Sequence, residues 1–216
     1  VKKNDKIIMP AVNFVASFNI AKLFGAKVYL ADVNPSTGQM QPQNIEDCIN
    51  KFRLKKVKAI IVMYNGGYPE NADKFKIFKK KLGSYIIEDA CHAFGASYYS
   101  NNKEYKIGSC KHSDLCTFSF HPVKTITTGE GGIVTTNSKK FYLKMVEGRT
   151  VGISRKTEFK HWKYDVKNIS LNFKLNDFQS ALGSSQINKI NKFISYRKRV
   201  FNLYNDTLKD IKQISV

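Results

Sequence analysis

At 216 residues, with 42% hydrophobic and 25% charged side chains, the chain has the composition of a folded protein with its own core, which excludes a disulfide scaffold, a disordered or fibrous chain and a repeat array. Its formal net charge of +19 would suit nucleic acid, but the basic residues are lysines scattered along the chain with few arginines (Arg53, Arg149, Arg155, Arg197, Arg199). Phosphate-binding surfaces favour the planar arginine fork, so no nucleic-acid partner is expected. No apolar run approaches the roughly 20 residues of a membrane span and VKKNDKIIMP does not read as a signal peptide, so a soluble, cytoplasmic protein without a membrane partner is expected.

DKIIMP at the start is a short apolar strand ending in proline, and reads as the middle of something longer. Phe14, Phe18, Ala21 and Phe24 recur near helical spacing, and Gly25 stops the pattern at a C-cap position. A strand is expected from Val28 to Val33, a turn at NPSTGQM, and a helix around Gln43 to Lys51. VKAIIVMY reads as a strand buried on both faces, Asp73 to Leu82 as a lysine-rich amphipathic helix, and SYIIEDA as another buried strand that closes on two acids. Strand and helix alternate, which predicts an α/β domain with a mostly parallel sheet, whose ligands gather at the carboxyl ends of the strands. From about Tyr98 the apolar pieces shorten (DLCTFSF, GGIVTT), and from Phe178 a lysine-rich helical stretch runs close to the C-terminus. The organisation expected is a large domain over residues 1–177 and the helical start of a C-terminal region over 178–216.

Three segments carry residues of chemical interest: EDACHAFGASY at 88–98, TFSFHPVKTITTGEGG at 117–132 and LNFKLNDFQSALGSSQ at 171–186. Each residue also has a plain reading. Asp89 at a strand end can be a turn residue, Lys124 one of many surface lysines, and the paired glycines a tight turn rather than an anion cradle. Cys48, Cys91, Cys110 and Cys116 lack paired C-x-x-C spacing, so reduced structural thiols and no metal site are expected. Taken together, the segments hold the groups that pyridoxal phosphate needs. These are a lysine amine for the covalent link, a carboxylate for the protonated ring nitrogen, hydroxyl or N–H donors for the phosphate, and an aromatic ring or imidazole against the ring face. Asp89 can serve the ring nitrogen, Ser119 the phosphate and Lys124 the carbonyl and proton chemistry, with an amine pKa expected to be lowered.

EDACHAFGASY, SFHPVKTITTGEGG and NFKLNDFQSALGSSQ, in this order and spacing and after IIMPAVNFVASFNIAKLFGAKVYLADV, resemble the DegT-like sugar aminotransferases, a branch of the fold-type I pyridoxal-phosphate enzymes. The resemblance covers almost the whole chain. It implies a three-layer large domain, a mostly parallel sheet flanked by helices, with the small C-terminal domain incomplete. It also implies that Lys124 binds the cofactor and moves protons, that Asp89 holds the pyridine nitrogen, and that His92 and Phe14 lie against the ring. Ser119 would bind the phosphate, Asn172 would reach the phosphate of a neighbouring subunit in a homodimer, and His121 would face substrate. The implied reaction moves an amino group, from glutamate, onto a keto sugar attached to a nucleotide, for glycan or polysaccharide synthesis. Two places depart from the family pattern: Asn172-Phe173-Lys174 has Lys where Arg is common, and Arg149-Thr150-Val151-Gly152 has Val where His is common. The resemblance further implies that family members are longer at both ends. The alternatives are a related sugar dehydratase, against which Lys124 argues because His occupies that position there, and a non-catalytic regulator or nucleic-acid binder.

Overall fold

A computed structural model describes residues 1–154, 160 and 162–213. A six-stranded sheet has the spatial order β2-β1-β3-β4-β7-β8. Its strands are β1 (Lys6–Pro10), β2 (Lys27–Ala31), β3 (Ala59–Met63), β4 (Tyr85–Asp89), β7 (Leu115–Ser119) and β8 (Gly132–Thr135). Every neighbouring pair from β2 to β7 is parallel, and β8 alone runs antiparallel. This is the mostly parallel α/β sheet that the alternating pattern predicts. Near-continuous apolar runs make these strands because both faces are covered. One face carries Ile8, Ile60, Val62, Ile86 and Cys116 into the main core, against Ile45, Cys48 and Ile49 of α2 (Pro42–Phe52) and Phe78 of α3 (Ile77–Leu82). The other face puts Ile7 and Met9 against Ala21 of α1 (Ala16–Leu23).

The large rings at helical spacing do not bury this first helix against the sheet. Phe14 is 71% exposed, Phe24 57%, and Ala21 is the buried residue of α1. The helix approaches the sheet through a small side chain, which lets it lie close and turns the large rings outward. Gly25, at φ +73°, does stop α1 as the pattern predicts. Three elements were not anticipated from the sequence: the hairpin β5 (Ser97–Ser100) and β6 (Lys103–Lys106), the helix α4 (Lys139–Arg149), and the short pair β9 (Ile153–Ser154) and β10 (Asp165–Val166). Residues Asn101 and Asn102 supply the left-handed turn of the hairpin, and α4 has no buried residue to give it a periodic signal. Two helices complete the described chain, α5 (Asp177–Ile187) and α6 (Ile190–Leu208). Asn176 and Gln179 form a capping box at the start of α5. No helix among the described residues is long and apolar enough to cross a membrane.

Candidate active site

Beyond the carboxyl ends of β3, β4 and β7 lies a cavity of about 830 Å³, lined among others by Phe14, Ser17, Met63, Asp89, His92, Thr117, Ser119, His121, Lys124 and Glu130. This is where an open parallel sheet places ligands. Period-two alternation builds its floor: Asp89 is the last residue of β4, Thr117 is its register partner on β7, and Ser119 follows two residues later on the same face. Glu88 points the other way. It is 2% exposed and accepts a hydrogen bond from Tyr64 Oη at 2.8 Å inside the main core, and burial raises its pKa. Of the two acids that close the strand, one therefore serves the cavity and the other the core.

Asp89 is buried and accepts hydrogen bonds from Ser17 Oγ of α1 (3.4 Å, to Oδ2) and from the Cys91 N–H (3.3 Å, to Oδ1). His92 sits on the loop after β4, where its Nδ1 accepts the Gly66 N–H at 3.3 Å, so that Nε2 carries the ring proton. Burial first, then the Lys124 ammonium, lowers the His92 pKa against the opposing pull of Asp89. Imidazole is thus the neutral donor here at neutral pH, and both charges lie near it. Cys91, beside Asp89, has its thiol pushed up to about 12 by burial and by that carboxylate, which makes it an inert wall residue. All four cysteines are free.

Lys124 lies on the turn that follows β7, half-buried, with its N–H donated to the His121 carbonyl at 2.9 Å. Ser119 Oγ accepts the His121 N–H at 3.3 Å, and His121 Nε2 stands 3.9 Å from Glu130 Oε1. The paired glycines beyond Lys124 act through close packing. A Cβ on Gly132 would stand 2.6 Å from the Phe118 carbonyl oxygen, and one on Gly131 would stand 2.8 Å from Leu175 Cδ2. They let β8 lie close to β7, and let Leu175, just before α5, lie against the glycine turn.

Six of the seven residues expected from the sequence (Phe14, Asp89, His92, Ser119, His121 and Lys124) therefore meet on one cavity. Asn172 does not line it. It bridges to Thr150, and its side chain accepts the Lys174 N–H at 3.3 Å. Sequence reasoning missed Ser17, Thr117 and Glu130. Thr117 was within reach, since it alternates with Ser119, whereas Ser17 depends on how α1 crosses the sheet.

The whole chain, residues 1–216, matches the DegT/DnrJ/EryC1/StrS aminotransferase family. The chain belongs to this family. Aminotransferases of the family use pyridoxal phosphate. Among relatives, it is 30% identical over 214 residues to the GDP-perosamine synthase of Escherichia coli O157:H7, covering 99% of this chain and 55% of that protein. It is 34% identical over 202 residues to the UDP-4-amino-4,6-dideoxy-N-acetyl-beta-L-altrosamine transaminase of Campylobacter jejuni subsp. jejuni serotype O:23/36 (strain 81-176), covering 93% of this chain and 51% of that protein. The solved structure of Helicobacter pylori PseC, an aminotransferase involved in the biosynthesis of pseudoaminic acid, superposes with a TM-score of 0.84 at 30% identity, over 98% of this chain and 53% of that one. The chain thus spans about half the length of the relatives it matches. Its fold is that of the fold-type I sugar aminotransferases.

The cavity's donor set fits pyridoxal phosphate. A buried carboxylate, an amine, a neutral imidazole, a serine hydroxyl and an exposed phenyl ring share its walls, and its volume lies in the range of small-molecule sites.

Proposed function

We propose that the protein transfers an amino group, with glutamate as donor, onto a keto sugar attached to a nucleotide, in the cytoplasm and as a homodimer, for glycan or polysaccharide synthesis. The observation that carries this reading is the cavity that gathers Lys124, Asp89, His92 and Ser119 in a chain of this family. The names of the relatives, a GDP-sugar synthase and a UDP-sugar transaminase, support a nucleotide sugar as acceptor.

When bound, pyridoxal phosphate supplies an electron-withdrawing ring that carries the amino group between donor and acceptor. In this reading the protein does the rest. Asp89, itself held by Ser17 and the Cys91 amide, would hold the ring nitrogen and favour its cationic form. His92 offers Nε2–H from a ring fixed by the Gly66 amide. Ser119, whose oxygen holds the His121 amide, would offer its hydroxyl hydrogen to the phosphate. Lys124 would hold the cofactor through its side-chain amine, and that same amine would serve as the general base and then the general acid that moves a proton at the substrate carbon. Asn172, outside the cavity of its own chain, would serve the phosphate of the neighbouring subunit, and His121 would face the sugar.

The test is borohydride reduction with pyridoxal phosphate, followed by mapping of the modified lysine. Attachment at Lys124 that disappears in Lys124→Ala is expected, together with amino transfer from glutamate to at least one nucleotide keto sugar. Attachment spread over surface lysines, with none at Lys124, would refute the reading.

A further inference from the structure

The turn that carries Lys124 has no regular secondary structure. Its incoming arm is held locally, by the Lys124 N–H on the His121 carbonyl and the Val123 N–H on His121 Nδ1 at 3.4 Å. Its outgoing arm is held by buried Ile126 and by Thr127 Oγ1, which donates to the Phe120 carbonyl at 2.9 Å. The carbonyl of Lys124 itself accepts a hydrogen bond from Arg197 Nη2 on α6, at 3.3 Å and 73 residues away in sequence. The first turns of that helix pack against the domain. Ile190 and Phe193 pack on the main core, and Ile194 lies so close to Gly95 that a Cβ there would stand 2.6 Å from its Cδ1. Gly95 closes the loop that begins with Cys91 and His92. One helix therefore touches both loops that carry the site.

We propose that Arg197 is a positioning residue for Lys124: it fixes the reactive turn through the Lys124 carbonyl and ties it, through α6, to the His92 loop. This rests on Lys124 being the amine that takes the cofactor. A guanidinium suits the role because its donors lie in a fixed plane and its charge strengthens the bond to a neutral carbonyl, while a lysine offers a movable point charge with no fixed donor plane.

The test uses the holoprotein and the cofactor-free protein, each with native Arg197, Arg197→Lys and Arg197→Ala. In the cofactor-free protein, hydrogen exchange of the Val123 and Lys124 amides is expected to quicken about fivefold in Arg197→Ala, with the strands unchanged. Borohydride-trapped attachment at Lys124 is expected to slow about fivefold, with Arg197→Lys intermediate. In the holoprotein, kcat is expected to fall with KM for the amino donor unchanged. Unchanged exchange and trapping in Arg197→Ala would overturn the inference, as would faster exchange throughout the sheet, which marks general destabilisation. If native protein shows no attachment at Lys124 while the exchange responds, the brace stands and the cofactor reading of Lys124 falls.

Discussion

Gly66 and Gly67 form the turn that holds His92, and replacing each by alanine separates two physical effects. Both sit in the left-handed region, at φ +64° and +88°, where an L side chain costs about 1–2 kcal/mol. A Cβ on Gly66 meets nothing within 4 Å, whereas one on Gly67 would stand 2.6 Å from the His92 carbonyl oxygen, a contact real Cβ atoms essentially never make. Gly66→Ala therefore carries only the backbone strain and keeps the N–H that His92 Nδ1 accepts. Gly67→Ala carries the strain and must also push the His92 backbone away, for a total of about 2–4 kcal/mol. In a chain of this size each kcal/mol lowers Tm by about 2–4 °C. Gly67→Ala is thus expected to lose at least twice the Tm of Gly66→Ala. Because the push acts on His92, cofactor affinity read from absorbance titration is expected to drop about tenfold in Gly67→Ala and to change less than about twofold in Gly66→Ala. Equal effects of the two substitutions on Tm and on affinity would refute the argument.

Asp89→Asn removes the negative charge offered to a cationic ring nitrogen, so amino transfer measured at saturating substrate is expected to fall about 100-fold or more while the fold, checked by circular dichroism, persists. Burial holds the Glu88 carboxyl above the ordinary glutamate pKa, so folding favours its protonated form. Its contribution is present in full below the usual glutamate range and is lost as pH rises through the folded-state value. Urea unfolding of Glu88→Gln is expected to lack that decline, and parallel pH profiles of the two proteins would count against it. His92 has its pKa lowered chiefly by burial, so its neutral Nε2 donor is expected to persist through neutral pH. The cofactor affinity it supports is expected to weaken only as acid protonates the ring, and His92→Asn should remove that acid limb from the affinity profile.

The alternating apolar runs made the parallel sheet legible, because strands covered on both faces leave an unbroken hydrophobic signature in sequence. The site was legible for a different reason: Asp89, His92, Ser119 and Lys124 lie in compact segments directly after strands, where chain order and spatial order nearly coincide. The spacing of Phe14, Phe18 and Phe24 marked a helix but left its packing open, since helical spacing shows that residues share a face but not whether that face meets the core. The hairpin at Ser97–Lys106 and the helix at Lys139–Arg149 escaped because the first depends on turn residues and the second buries none of its side chains.

Residue type and local order by themselves determined the fold class, the chemistry of the candidate site and the lysine at its centre. Only the tertiary structure decided that Glu88 lies in the core against Tyr64, that the paired glycines serve close packing, and that Ser17 and Arg197 reach Asp89 and Lys124 from distant helices. The physical reason is one of range. Periodicity and strand-end position are set by backbone geometry over a few residues, whereas a contact across 73 residues depends on how packed helices settle on the sheet.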